Sequence, residues 1–194
     1  SNAAYARVYA MIRSLGDGGS GTIYVDSMRL WYGEENLLNN NEFDGNNRVA
    51  NNWEEQVALN ATTDFEIITT SQGSKVQKIF GTGLKNGSYM GIWQDTAVSP
   101  GQKLQISGKI NVENLQNARV QLYVDYMTAE GKYTMAPATI AEYSNPTNGG
   151  YITITGEGSV PSNAAYARVY VIIRALGDNG TGKVYVDSVR LCRL

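Results

Sequence analysis

The chain has 194 residues, 16 of them basic and 18 acidic, for a net charge of −2, and it contains no histidine. The absence of histidine excludes Ser-His-Asp and Cys-His catalysis and imidazole acid–base work, and the absence of a Lys/Arg run removes the basic stripe that tracks phosphates, so no nucleic acid partner is expected. The single cysteine, Cys192, excludes an internal disulfide, and no apolar stretch approaches the ~18 residues that a membrane span needs.

In chain order, the first feature is a repeat. Ser1–Leu30 (SNAAYARVYAMIRSLGDGGSGTIYVDSMRL) returns at Ser162–Leu191 with eight substitutions, at an offset of 162 − 1 = 161 residues. A period of that length is the size of a self-sufficient domain, so the chain reads as a slice of a tandem array. Residues 1–30 read as the carboxy-terminal hairpin of a preceding repeat. Residues 31–35 are a joint too short for a loose linker, 36–191 one complete module, and 192–194 a tail. A module of roughly 155 residues buries about two thirds of its unfolded surface and needs no disulfide staples.

Strand signals fill the module. DFEIITT (64–70), KVQKIFG (75–81), SYMGIWQ (88–94), QKLQISGKINV (102–112), ARVQLYVDYM (118–127) and YITIT (151–155) are apolar-alternating runs separated by turn residues. Ser99-Pro-Gly101 and Ala129-Glu-Gly-Lys132 are turns. In Ala165–Ala175 one face carries Ala167, Val169, Val171 and Ile173, the other Tyr166, Arg168, Tyr170 and Arg174. The loop that follows has Asn179 where the first copy has Gly18, the two residue types that best tolerate a left-handed turn. Lys183–Leu191 alternates again. No segment sustains a helical period, so the predicted fold is all-β, an antiparallel β-sandwich or jelly roll.

Several stretches resemble one family. NLLNNNEFD (36–44) followed by Trp53, GIWQDTAVSPGQKLQISGKI (91–110), ARVQLYVDYMTAEGK (118–132), and GEGSVPSNAAYARVYVII (156–173) with KVYVDSVRL (183–191) are similar to jelly-roll carbohydrate-binding modules of the families 4/9/22 type. The resemblance spans the whole repeat. Leu104 and Ser188 depart from it, standing where the family often has Tyr and a second Asp. It implies a structural role for Trp53 and a structural calcium ion held by Asp44 and Asp187, since carboxylates suit a hard cation.

Sugar rings stack on aromatic side chains while amides and charges take their hydroxyls. With 118–127 beside 165–175 in one sheet, Trp93, Arg119, Gln121, Tyr123, Arg168 and Tyr170 form a candidate groove for polysaccharide. The adjacent acids Glu34-Glu35 and Glu54-Glu55 point to opposite faces of a strand and make no hydrolytic pair. The expected function is non-catalytic polysaccharide binding, weak per module, in an extracellular or cell-surface protein, and the resemblance to modules of large bacterial array proteins implies a bacterial source. The alternative is a structural repeat that builds a stalk or filament by strand pairing with neighbouring modules or copies of itself.

Overall fold

The structure is a computed structural model that describes residues 36–45 and 48–194. The predicted hairpin 1–30 and joint 31–35 lie outside the described residues. Every regular element described is a strand: β1 (Glu54–Gln56), β2 (Thr62–Thr69), β3 (Lys75–Leu84), β4 (Tyr89–Ala97), β5 (Lys103–Gln116), β6 (Ala118–Met127), β7 (Thr139–Tyr143), β8 (Ile152–Ser159), β9 (Tyr166–Ala175) and β10 (Gly180–Arg193). They form two antiparallel five-stranded sheets, β1-β4-β9-β6-β7 and β2-β3-β10-β5-β8, a β-sandwich of jelly-roll type. No helix of the described residues is long and apolar enough to cross a membrane.

The core lies between the sheets and follows from strand alternation. β9 turns Ala167, Val169, Val171, Ile173 and Ala175 inward; β6 contributes Ala118, Val120, Leu122, Val124 and Tyr126, and β10 contributes Val184, Val186, Val189 and Leu191. All are essentially inaccessible. Two buried glutamines tie the irregular entry segment to this frame. Gln77 on β3 accepts from Ala50 N and donates to the carbonyls of Arg48, Glu66 and Lys78, while Gln94 on β4 pairs through both amide atoms with the backbone of Asn39. Each amide is satisfied, which is the condition for burying it without penalty. Trp53 packs on Phe43 with ring centroids 5.4 Å apart and donates to Asn40 O, so it is a core residue.

The turns form where the sequence places them. Gly101 and Gly131 take positive φ, and Asn179 sits at φ 59°. Residues 162–191 are not a hairpin, because β9 and β10 belong to opposite sheets and are the central strand of each. The turn after Ala175 carries the chain across the sandwich. Alternation tells which side chains share a face, but it does not name the partner strand.

Candidate functional site

The outward faces of the two sheets differ in chemistry. On the sheet containing β10, the outward side chains are dominated by ion-paired lysines and acids, Lys78 with Asp64 and Glu66, Lys183 with Glu113, and Lys109 with Asp187, and the tyrosines near them, Tyr151 and Tyr185, each stand beside one of these lysines. On the sheet containing β9, tyrosines, a tryptophan and arginines stand in register across three strands.

The register builds that face row by row. Trp93, Tyr170 and Tyr123 are direct Cα partners across β4, β9 and β6. Asp95, Arg168 and Asp125 form the next row, Gly91, Ile172 and Gln121 the row on the other side, and Tyr89, Arg174 and Arg119 the row beyond. Each strand contributes every second residue, which the period of a strand requires. All six candidate residues therefore lie on one face, and β6 does neighbour β9. Gly91 is the gap in the β4 row. A Cβ there would run into the Val171 carbonyl oxygen and lie 2.8 Å from Ile172 Cα, so only glycine fits.

The six differ in access. Trp93, Arg119, Tyr123 and Arg168 are partly exposed, whereas Gln121 and Tyr170 are 5% and 4% exposed. Tyr170 is covered by rings. Tyr89 and Tyr123 meet it edge-on at centroid distances of 6.1 and 6.3 Å, and Tyr133 brings its hydroxyl within 3.0 Å of the Tyr170 hydroxyl. Burial, followed by that hydrogen bond, pushes the Tyr170 phenol well above its ordinary pKa. Tyr133 comes from the loop 128–138, which folds back through a bridge between Met127 and Tyr133 and a bond from Thr134 N to Tyr126 O.

The arginines are held in fixed geometry. Arg168 makes a two-pronged pair with Asp95, 2.7 Å from Nε to Oδ1 and 2.8 Å from Nη2 to Oδ2, and its guanidinium lies 3.9 Å over the Trp93 ring. The hydrogen bond to Asp95 raises its pKa further. Arg119 donates to both oxygens of Glu142 at 2.8 Å, and Gln121 donates to the same carboxylate. That pairing holds Glu142 below the usual carboxylate range. Gln121 in turn accepts from Arg174 Nε at 2.8 Å, and Arg174 stands 4.7 Å from the Tyr89 ring centroid and 5.5 Å from that of Tyr123. Planar guanidinium groups suit both stacking and forked pairing.

Two depressions open between these groups. One of about 200 Å³ is lined by Tyr89, Tyr123, Asp125, Tyr170, Ile172 and Arg174. Another of about 380 Å³ is lined by Tyr89, Asp125, Tyr126, Tyr133, Met135 and Ala136. Tyr89, Asp125, Tyr133 and Arg174 thus join the six as members of the site. Tyr89 and Asp125 stand on the same strand faces as Trp93 and Tyr123, four and two residues away, and period two was enough to find them. Tyr133 lies in a loop, and no pattern in the sequence announces it.

No family model and no curated protein sequence matches the chain. Solved structures do. The active domain of bacteriophage CBA120 tailspike protein 4 superposes with a TM-score of 0.58 at 12% identity, covering 82% of this chain; the chain spans only 21% of that protein. The CBM61 module TmCBM61, in complex with β-1,4-galactotriose, gives 0.53 at 14% identity over 82% of this chain and 99% of the module. The CBM22-1 xylan-binding domain of Paenibacillus barcinonensis Xyn10C gives 0.55 at 12% identity over 82% and 95%. The fold is that of the jelly-roll carbohydrate-binding modules.

The calcium expectation meets a different donor set. Asp187 faces the Lys109 ammonium at 2.5 Å. Asp44 is exposed, and its backbone is engaged by Asn40 and Asn51. Among the described residues no three acidic, cysteine or histidine side chains cluster together. A cation at Asp187 would have to displace a lysine, so these residues do not fit calcium.

Proposed function

We propose that the outward face of the β1-β4-β9-β6-β7 sheet binds a polysaccharide without acting on it. The observation that carries this reading is the asymmetry of the sandwich: one face is mainly solvated ion pairs with isolated tyrosines, the other a contiguous set of rings around two depressions, with arginines braced between the rings. Rings supply stacking surfaces for sugar C–H faces, and fixed polar groups orient the hydroxyls. The carboxylates argue against hydrolysis. Asp95 and Glu142 are consumed by arginines, and among the described residues Asp125 is the one carboxylate lining the two depressions, with no second acid there to share a hydrolytic step. The similar modules whose names specify β-1,4-galactotriose and xylan support the same ligand class. Affinity per module is weak and is gained by repetition in an array, in an extracellular or cell-surface protein. Affinity electrophoresis against galactan, xylan and glucans tests this, with retardation by at least one polymer expected. Retardation by none overturns the reading.

The near-identity of residues 1–30 and 162–191 favours a second reading, a structural repeat that assembles with copies of itself. Light scattering on the full chain and on a chain lacking residues 1–30 tests it. Large assemblies that vanish on deletion support assembly, and a monomer in both cases removes it.

A further inference from the structure

The arginines of the binding face are all taken, and the one carboxylate that lines its two depressions is not. Arg168 is taken by Asp95, Arg119 by Glu142, and Arg174 by Gln121 and the Tyr89 and Tyr123 rings. Asp125 accepts no hydrogen bond and makes no ion pair among the described residues. It is nevertheless only partly exposed, and it lines both depressions. A carboxylate withdrawn from water without a partner costs stability. Such a cost, placed where two cavities meet beneath tyrosine rings, marks an acceptor kept open for a ligand.

The surroundings select the ligand. Two tyrosine rings, Tyr89 and Tyr123, flank the smaller depression, and Ile172 contributes apolar floor. Tyr133 and Met135 wall the larger one; Met135 is 91% exposed and held at φ 61°, a conformation unusual for its side chain. A carboxylate with two oxygens, set among ring edges, is matched by two adjacent hydroxyls on a ring with apolar faces. An amino sugar would bring its ammonium toward Arg174 and Arg168, the cations nearest Asp125. A uronic acid would bring a second carboxylate against an already desolvated one, a like-charge contact that disfavours binding. We infer that Asp125 is the specificity-determining residue of this face, accepting hydrogen bonds from a vicinal diol and selecting neutral glycans over acidic ones. This rests on the polysaccharide reading above.

The experiment compares the full chain and Asp125→Asn by affinity electrophoresis in β-1,4-galactan, xylan, mixed-linkage β-glucan and polygalacturonate, with thermal melting of both proteins. Asparagine keeps the shape and exchanges one acceptor oxygen for a donor. The expected result is retardation of the parent by a neutral polymer and not by polygalacturonate, a fall in affinity of roughly tenfold or more in Asp125→Asn, and a melting temperature equal to or above the parent's. A structural role would lower that temperature. Neutral-polymer binding that survives the substitution, or parent binding to polygalacturonate as strong as to a neutral polymer, overturns the inference while leaving the face as a binding site. A parent that no polymer retards overturns both.

A second measurement covers failure of the variant to fold. Asp125 is faced by Arg168 and Arg174 from β9, Tyr89 from β4, Tyr133 from the loop and Tyr123 on its own strand. Burial raises its pKa, and the two arginines oppose that rise. Diol binding needs the ionised form, so parent affinity must fall as the pH drops through that raised value. Affinity that is flat on the acid side overturns the inference.

Discussion

Arg174 is the strut of the binding face, and removing it has consequences that can be sized. Its guanidinium lies against two rings, at 4.7 Å from Tyr89 and 5.5 Å from Tyr123, and its Nε bonds Gln121 Oε1 at 2.8 Å. Each cation–π contact at a partly exposed site is worth about 0.5–1 kcal/mol. The charged hydrogen bond, discounted for solvent, adds about 1 kcal/mol, since Arg174→Ala leaves the buried Gln121 oxygen unpaired. The loss is about 2–3 kcal/mol. For a domain of this size that lowers Tm by about 5–10 °C. Arg174→Lys keeps a charge between the rings but loses the fork, so it should fall roughly midway. The pH dependence adds a sign. Asp125 has a raised pKa, so its contribution to stability is full below the ordinary value of 3.8 and is lost as pH rises through the raised one. Arg174 is the largest influence opposing that rise; without it the pKa climbs further and the loss grows. The penalty of Arg174→Ala must therefore be larger at neutral pH than below pH 3.8. Calorimetric melts at both pH values provide the assay. A drop under about 2 °C, or a penalty larger in acid, refutes the reasoning.

Gly91→Ala should break the β4–β9 pairing, because the added Cβ meets backbone on both Val171 and Ile172 and neither can rotate away; a cost of about 3 kcal/mol or more is expected, and a melting temperature within 2 °C of the parent would contradict it. With Lys109 already on Asp187, millimolar chelator should leave the melting temperature unchanged; a fall that is absent from Asp187→Ala would instead place a calcium ion there. Phe substituted for Tyr133 removes its hydroxyl bond to Tyr170 and should loosen the loop 128–138 without unfolding the sandwich, read as faster amide exchange confined to that loop; unchanged exchange would show that the bond does not anchor it.

The strands that could be read from sequence are those whose two faces differ sharply. β9 alternates small apolar residues with Tyr and Arg, and β6 does the same with Val and Leu against Arg, Gln and Tyr. β7 shows no such contrast, because its inward residues are Thr139 and Ala141, and the buried Thr139 owes its place to a hydrogen bond with Tyr126 rather than to hydrophobicity. β1, at three residues, is too short to show a period. The sheet partition was beyond local pattern, since β9 and β10 alternate as a hairpin would and separate only through tertiary pairing. The face of the site was legible, and its depth was not. Tyr170 and Gln121 point outward as alternation says, yet neighbours from other strands and a loop bury them. Asp125 stood two residues from Tyr123 on the same face, but that it has no partner is known only once Asp95 and Glu142 have taken the arginines.

The most direct test of the account sets one tyrosine against another. Tyr123 lies on the ring-bearing face and Tyr185 on the ion-paired face, where its hydroxyl donates to Glu113. Each is replaced by Ala in the full chain, and binding to the best-retarding neutral polymer is measured by titration calorimetry. A stacking ring is worth on the order of 1 kcal/mol, so Tyr123→Ala should weaken binding about fivefold or more while Tyr185→Ala binds as the parent does. Equal affinity in Tyr123→Ala and the parent, or a loss confined to Tyr185→Ala, would contradict the assignment of the face.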